Sequence, residues 1–517
     1  MANYTGKFLF IFVAAVLLSS AAAWLTARRY RSVMQRLMRT PVTASAGAMP
    51  AAAIAIATPI ALPPPLPVTL ATNRRASVTL ALVLIALSCL MAMTSASVYL
   101  LLAFPAEPFA PKRAAIVALM HLWPVIPALG LLWRWSVWRV AAALVLWVAV
   151  CFPVMLWRSI EPQPLQLLLG LAVEIVPPMI AVALLCMGSA TRAIAPWLLL
   201  PFAGLLWASI VGTDILSSMV ERRTPLLTWL IEWLPVQAAI PIFALLPWLL
   251  AWWPLRQLGR ALGRAYARKQ LSELLVLFTA VWTISLLFPA LGVAGSAGLA
   301  GAAMFLPLLW IPLVMVPYAH WRARQGRPPT LLVLRVFQHD AQVQDLFDHV
   351  IERWRLSGNT VMIAGTDLVE RTIDADDIFT FLDGRLADRF IRTQQEVAQR
   401  VTAFDLLPDA DGRYRVNECF CHDTTWQHAL HALVQQSDVV LMDLRGFQTR
   451  NAGCRYELGT LAQASHALRV VVLTDGQTDR IAAAEAIGHG RPERFVWLDA
   501  SHIDARKRRE VLARLFD

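Results

Sequence analysis

The sequence predicts an α-helical membrane domain of several spans, joined to an α/β domain with a flavodoxin-like, doubly wound parallel sheet. Hydrophobic residues make up 57% of the 517 residues and charged residues only 16%, which is too apolar for an ordinary soluble protein. The charge is also divided unevenly. Residues 1–327 carry 24 Lys and Arg against 7 Asp and Glu, whereas residues 328–517 carry 22 against 28. From Thr330 onward, long apolar runs give way to short ones separated by polar turns.

Nine apolar runs in the first region are long enough to cross a bilayer, whose core of about 30 Å requires about 20 apolar residues in a helix. They are 8–27, 77–104, 114–133, 140–157, 164–187, 196–213, 236–255, 271–290 and 300–318. The first run has no clear cleavage site after it, so we expect it to be retained as an anchor. The expected segments are 1–40 (first span and basic segment), 41–75 (Ala- and Pro-rich linker), 76–327 (multi-span domain) and 328–517 (α/β domain).

The positions of the basic residues predict an orientation, because Lys and Arg in short loops are retained on the cytoplasmic side of a membrane. With the N-terminus outside, 18 basic residues lie in inside segments and 6 in outside segments. Residues 328–517 are then cytoplasmic, and the chain lies in the inner, plasma membrane. A further span over residues 51–70 would reverse this orientation, but the prolines at 63–65 and 67 disfavour a helix across lipid.

Two ionisable residues within apolar runs, His121 and Glu174, are candidates for a transport site, because charges in lipid are costly unless paired. Glu174 is followed closely by Pro177 and Pro178, and broken helices beside a buried acid occur in transporters. No paired acids or inverted repeat accompany them in the sequence. A transporter with a regulatory cytoplasmic tail therefore stays an alternative function.

In the second region, short apolar runs alternate with helical stretches, which is typical of a parallel sheet covered by helices. The expected strands are 331–337, 360–364, 414–421, 438–443, 469–474 and 495–498. The expected helices are 343–356, 376–391, 424–436, 454–467, 478–486 and 503–515.

Ligands of such sheets bind beyond the carboxyl ends of the strands. The residues at these positions include Gly365, Thr366 and Asp367 after the second strand, and Arg445, Gly446 and Phe447 after the fourth. Neither G-x-G-x-x-G nor a Walker lysine occurs, so the sequence does not predict ordinary dinucleotide binding or phosphoryl transfer. Cys419, Cys421 and His422 have no second ligand pair to complete a zinc set, and we predict no metal site.

The stretch from Ser437 to Leu461 contains the motif G-C-R-Y-E-L-G at residues 453–459. This motif resembles the W-C-x-x-E-L helix start of TIR domains and the D-x-G-x-x-x-E-x-G motif of nucleoside deoxyribosyltransferases. In this chain Gly453 stands where TIR domains have tryptophan. In both families the glutamate acts at an N-glycosidic bond, so the resemblance implies that Glu457 is the catalytic carboxylate.

The resemblance and the crevice together give the candidate site. The candidate substrate-binding residues are Asp443, Arg445, Phe447, Gly453, Arg455, Gly365, Thr366, Asp367 and Trp426. Arginines and a helix N-terminus suit the phosphates of a nucleotide, and an aromatic ring suits its base. The structural alternative for Glu457 is an acid at a helix start, favoured there by the helix dipole.

The expected function is membrane-anchored signalling or stress response, with a TIR-like domain that binds and hydrolyses a nucleotide. NAD or a related nucleotide is the expected substrate, and no cofactor is implied. The first alternative is a non-catalytic module that binds a nucleotide or a protein, and the second is the transporter. The expected partners are the lipid bilayer, a small nucleotide and further copies of the chain, since TIR domains act through self-association. Nucleic acid is not expected, because the basic excess lies in membrane loops and the α/β domain is acidic.

Overall fold

The computed structural model describes residues 2–39, 64–158, 176–186, 189–222, 235–335, 345–364, 375–404, 406–422, 424–464 and 468–517, together with residues 170, 224, 225, 229 and 466. The chain forms two compact units. The first comprises Met1–Ala27, Leu82–Met315 and Asp374–Phe379, and the second Arg28–Ala81, Val316–Ile373 and Thr380–Asp517. The second unit therefore contains the ends of three apolar helices as well as the α/β domain.

The apolar region consists of helices joined by short turns in its described part. The helices are α1 (Ala2–Arg39), α2 (Leu70–Ala103), α3 (Pro111–His121), α4 (Val125–Leu132), α5 (Val137–Arg158), α6 (Val176–Cys186), α7 (Ser189–Glu221), α8 (Val236–Ala267), α9 (Glu273–Ala297) and α10 (Trp310–Ala323). Among the described residues, six helical segments are long and apolar enough to cross a membrane, or seven if α3 and α4, bent by 43°, form one span. This finding is consistent with the predicted membrane domain.

Helix α8 shows the kind of surface that such a domain requires. Leu249, Trp252 and Trp253 are 75%, 72% and 68% exposed. Large apolar side chains exposed in series along one helix mark a surface that contacts lipid or another protein. The exposed face of α8 therefore fits its predicted place as a span.

Two of the nine predicted runs occur within one helical segment, Glu273–Ala323, in which the chain turns back. Gly298, with a φ of 61°, ends α9. A Cβ added to Gly301 would lie 2.8 Å from the carbonyl oxygen of Ala290, so a 3₁₀-helix at Gly298–Leu309 runs closely alongside α9. The runs 271–290 and 300–318 thus pack side by side.

The residues behind the transporter alternative are only partly described. Glu174 and half of the run 164–187 lie outside the described residues, which include α6 from that run. A ring nitrogen of His121 lies 2.8 Å from the carbonyl oxygen of Val117, one turn earlier in α3. This bond within its own helix satisfies one of the two ring nitrogens of His121.

The α/β domain is a seven-stranded parallel sheet with helices on both faces. The strands are β1 (Thr330–Arg335), β2 (Asn359–Ala364), β3 (Phe390–Ile391), β4 (Val416–Cys421), β5 (Val439–Asp443), β6 (Arg469–Thr474) and β7 (Phe495–Asp499). The helices that cover the sheet are α11 (Phe347–Ile351 and Glu352–Trp354), α13 (Gln394–Thr402), α14 (Trp426–Gln436), α15 (Ala452–Gln463), α16 (Arg480–Ile487) and α17 (Ala505–Phe516). Helix α12 (Ala375–Leu382) follows β2 in the chain, but most of it belongs to the first unit, where Ala375 and Phe379 pack against Trp197 and Tyr266. All six predicted strands are present, which confirms the parallel α/β class.

The order of the strands corrects the flavodoxin-like prediction. The observed order is β3-β4-β2-β1-β5-β6-β7. Without the short edge strand β3, this is the 3-2-1-4-5-6 order of dinucleotide-binding sheets, whereas the flavodoxin-like order is 2-1-3-4-5. The prediction was wrong because the apolar pattern of a strand shows that both faces are buried but not which strand lies beside it. The switch in chain direction, where ligands bind in such sheets, falls between β1 and β5.

The predicted helix 376–391 was also wrong in its second half. Gly384 has a φ of 73°, and its N–H donates to the carbonyl oxygen of Phe381, which ends the helix near Leu382. A glycine in the left-handed region is the common way to stop a helix. The residues that follow form β3, which pairs in parallel with β4, and then α13, neither of which the sequence predicted.

The two sheet faces have separate cores. On one face, α13 to α16 pack against buried strand residues such as Leu332, Met442 and Val472. On the other face, α11 and α17 pack against residues such as Val333 and Leu441. Successive side chains of a strand point to opposite faces of the sheet, so one strand contributes residues to both cores.

Arg494 closes the C-terminal end of α15 from the loop before β7. Its guanidinium donates to the carbonyl oxygens of Leu461 at 3.0 Å, Ala464 at 2.9 Å and His466 at 3.3 Å. We expect Arg494→Met to lower the free energy of unfolding by about 2 kcal/mol, because buried carbonyl groups lose their donor. Urea denaturation of the full chain in detergent, with the exposed Arg491 substituted in the same way as a control, measures this effect. Equal losses in the two variants would contradict it.

Candidate active site

Glu457 lies in the first half of α15, the helix that follows the loop after β5. Cys454, Glu457, Leu458 and Leu461 are all buried, at spacings of three and four residues. This spacing places them on one face of the helix, toward the sheet. Glu457 is thus an acid within an otherwise apolar stripe, on the helix next to the switch between β1 and β5.

The surroundings of Glu457 favour the protonated, neutral form of its side chain. The side chain is 9% exposed, and the thiol of Cys454 is its hydrogen-bond partner. Its Oε2 atom has no hydrogen-bond partner in the part of the chain that the structure describes. Burial raises the pKa of Glu457 to about 8, and the bond from Cys454 offsets only part of that rise. At neutral pH most molecules therefore carry a proton on this side chain.

The position and the neutral state of Glu457 disfavour the explanation that the helix dipole selects an acid here. The first turn of α15 contains no acidic residue, and Glu457 lies beyond it. The helix dipole stabilises an acid as an anion and mainly within the first turn. An acid that is mostly neutral and lies further along the helix is not explained by that effect.

The loop after β5 contains a buried ion pair between two predicted substrate-binding residues. Arg445 donates to Asp443 with Nε at 2.8 Å and Nη2 at 2.7 Å. The two side chains are 8% and 7% exposed. The guanidinium of Arg445 is thus occupied by a carboxylate of its own loop, and a ligand phosphate would have to compete for it.

The same loop is fixed from the neighbouring strand β6. The carboxylate of Asp475 accepts from the N–H of Gly446 at 3.0 Å and from the hydroxyl of Thr478 at 2.8 Å. Burial by itself would raise the pKa of Asp475, but these bonds lower it below its usual value. Gly446 adopts a φ of 70°, which favours glycine here. Phe447 is fully buried in the core beside α15, so it packs the loop against the domain.

Trp426 and Gly453 come together between α14 and α15. A Cβ added to Gly453 would lie 4.0 Å from the ring of Trp426. The Trp426 ring also contacts Tyr456 edge to face, with centroids 5.4 Å apart, and the hydroxyl of Tyr456 lies 2.9 Å from Nε2 of His431. An aromatic ring from α14 thus lies next to the position where TIR domains have their tryptophan.

Arg455 projects from a different face of α15 than Glu457. It is exposed, and it lies two residues before Glu457. Residues two apart in a helix point about 200° apart around its axis. Arg455 and Glu457 therefore do not face one binding site on the same side of α15.

Three predicted substrate-binding residues lie outside the described residues: Gly365, Thr366 and Asp367. Within the described ranges, no group of three or more His, Cys, Asp or Glu side chains is arranged to hold a metal ion.

Sequence reasoning missed the role of Cys454 as the partner of Glu457, although the three-residue spacing in the motif could have indicated it.

The comparisons with known proteins give no relative for this chain. No family model matches it, and neither a curated protein nor a solved structure is similar enough to count as a match. The geometry around Glu457 and the motif that contains it are therefore the only indications of function that this chain offers in its described part.

Proposed function

We propose that the chain is a multi-span protein of the inner membrane whose cytoplasmic α/β domain binds a nucleotide such as NAD and cleaves its N-glycosidic bond. Glu457 supplies the catalytic carboxylate. The observation that carries the proposal is a buried acid near the sheet switch, whose Oε2 atom lacks a hydrogen-bond partner among the described residues. Burying a carboxyl group with incomplete partners costs free energy of folding, and such groups concentrate at functional sites.

The reaction needs a carboxylate close to the sugar. When the bond between C1′ and the base nitrogen breaks, the electron pair leaves with the base and positive charge develops on the sugar. A nearby carboxylate stabilises that charge. Water then adds at C1′, and the carboxylate accepts the proton that the water loses.

The protonation state of Glu457 sets when the site is active. With a pKa of about 8, the resting side chain is mainly neutral at pH 7 and cannot stabilise a cation. A positively charged nicotinamide ring nearby lowers the pKa of an acid, because opposite charges favour the ionised form. Substrate binding would thus generate the carboxylate that the reaction requires.

The membrane region gives this chemistry a means of control. By resemblance to TIR domains, the α/β domains act through self-association, and the membrane region senses the stimulus and brings copies together. The neutral, buried state of Glu457 also fits the non-catalytic alternative, in which the domain binds a nucleotide or a protein without turnover. The two functions differ in whether the bound nucleotide is cleaved.

The test is nicotinamide release from NAD by the full chain in lipid nanodiscs. We expect Glu457→Gln to reduce kcat by about 100-fold or more, because glutamine can neither stabilise the cation as an anion nor accept a proton. Nucleotide affinity should change by less than about threefold, since glutamine keeps the shape of the side chain. In the unsubstituted protein, kcat/KM should rise with pH and level off above a pH of about 8.

Glu485→Gln is the matched control, because Glu485 is exposed on the neighbouring helix α16. Its turnover should equal that of the unsubstituted protein. Unchanged turnover in Glu457→Gln would remove Glu457 from the mechanism. Nucleotide binding without cleavage in the unsubstituted protein would favour the non-catalytic alternative.

A further inference from the structure

The first turns of α2 are fixed to the end of α11 by a buried side chain. Asn73 is 1% exposed, and its side-chain amide donates to the carbonyl oxygen of Arg353 and to the hydroxyl of Ser357, both at 2.7 Å. Satisfied buried amide bonds of this kind hold two elements in one relative position. Arg74, the next residue of α2, is therefore held near Arg353.

Helix α17 lies alongside α11 on the same face of the sheet. Arg508 donates through Nε to the carboxylate of Asp345 at 2.7 Å. Further along, the rings of Trp354 and Phe516 stack with centroids 4.9 Å apart. These two contacts fix α17, and with it Arg509, beside α11.

Arg74, Arg353 and Arg509 come from three separate elements and reach solvent, and both Arg74 and Arg509 lie close enough to Arg353 to act on its charge. None of them forms an ion pair with a carboxylate in the described ranges of the chain. The pKa of the Arg353 guanidinium is lowered, first by partial burial and then by the positive charges of Arg74 and Arg509. Their like charges therefore repel one another when the region holds no anion.

A cavity of about 720 Å³ lies along the start of α2, and Arg74 belongs both to its lining and to this group. It is lined by Leu70, Ala71, Arg74, Arg75, Val78 and Thr79. The volume is that of a small-molecule site, and the lining combines two arginines with apolar side chains. A ligand with a phosphate group and an apolar portion matches this combination.

The position along α2 indicates where such a ligand comes from. The apolar run of α2 begins at residue 77, so Arg74 and Arg75 lie about 3–5 Å before it, at 1.5 Å per residue. Lipid phosphates lie at about this distance from the hydrocarbon core of a bilayer. Arginines at this depth attract anionic headgroups.

We propose that Arg74, Arg353 and Arg509 bind the phosphate group of an anionic phospholipid at the start of α2. The choice of a lipid over a free phosphate rests on the proposed membrane location of α2. The bound headgroup relieves the repulsion among the three arginines and joins α2 to α11 and α17. It acts independently of Glu457, so nucleotide turnover does not enter the test.

The experiment compares full-length protein in two kinds of nanodisc, one of phosphatidylcholine alone and one with about a fifth of that lipid replaced by phosphatidylglycerol. We expect phosphatidylglycerol to raise the Tm of the unsubstituted protein by about 5 °C, because a ligand that binds only the folded state stabilises it. The double variant Arg74→Gln with Arg353→Gln should lose most of this shift. In phosphatidylcholine alone, its Tm should equal or exceed that of the unsubstituted protein, because the repulsion is gone.

Arg324→Gln is the control, since Arg324 is an exposed arginine just after α10 and outside the group. It should keep the full shift. An equal shift in the double variant would mean that the lipid acts through the general basic charge of the chain, and would overturn the proposal. Inorganic phosphate in phosphatidylcholine nanodiscs is the second probe. A shift with phosphate alone that the double variant loses would support the anion site but identify free phosphate as its source. No variant-dependent shift with either probe would reject the site.

Discussion

Raising the pH from 5 to 9 should destabilise the α/β domain, because Glu457 must then lose its proton inside the protein. The pKa of Glu457 is raised from 4.5 to about 8 by burial. Below pH 4.5 the group is protonated in both the folded and the unfolded chain. Between pH 4.5 and 8 the unfolded chain releases this proton while the folded chain keeps it, so rising pH favours unfolding.

The expected size of this effect is on the order of 5 kcal/mol between pH 4.5 and pH values above 8, from 1.36 kcal/mol for each unit of pKa difference. The loss is complete once the pH exceeds the folded-state pKa. Urea denaturation of the full chain in detergent at several pH values measures it. Other groups also titrate over this range, so the informative quantity is the difference between two variants.

Glu457→Gln is that second variant, because it has a similar shape and no titration. It should be clearly more stable than the unsubstituted protein at pH 9 and similar to it at pH 4.5. Parallel pH profiles for the two proteins would mean that Glu457 titrates normally and is not a buried neutral acid. This measurement needs no substrate and therefore tests the site independently of turnover.

Asp411→Ala should cost about 3–5 kcal/mol of unfolding free energy, because it leaves a buried positive charge without its nearest partner. Asp411 is fully buried and Arg413 is 3% exposed, and their charged groups lie 2.8 Å apart. Among the described residues, Arg413 also contacts the carboxylate of Glu352, at the longer distance of 3.7 Å. The loop is tightly packed as well: a Cβ added to Gly412 would lie 2.9 Å from both Tyr318 and Arg322.

The double variant Asp411→Ala with Arg413→Met provides the diagnostic comparison. Replacing a buried ion pair by apolar side chains is often neutral, so the double variant should recover much of the loss. Asp383→Ala is the exposed control. Asp383 and Arg385 form an ion pair whose side chains are 42% and 66% exposed, and breaking it should cost less than about 1 kcal/mol. A double variant as unstable as Asp411→Ala would show that the loop needs these side chains for reasons other than charge.

For the candidate site, the sequence identified the functional residue types but not the contacts that these residues make. The motif at 453–459 led to Glu457, and the structure places this residue in a buried position on the helix after β5. The same reasoning assigned Arg445 to a phosphate, whereas its guanidinium is bonded to Asp443. Arg455 and Glu457, two residues apart, were assigned to one site but lie on different faces of α15. A motif gives spacing along the chain, and only helix geometry and neighbouring elements convert spacing into direction.

The sequence by itself determined the apolar helices and the parallel α/β class. Both can be predicted because the spacing of apolar residues along the chain directly reflects which side chains are buried. The tertiary structure alone decided the order of the strands, the edge strand β3 and the pairing of Arg445. It also decided that Glu457 is a neutral acid. Its pKa depends on how completely distant parts of the chain exclude water from one carboxyl group, and no local pattern contains that information.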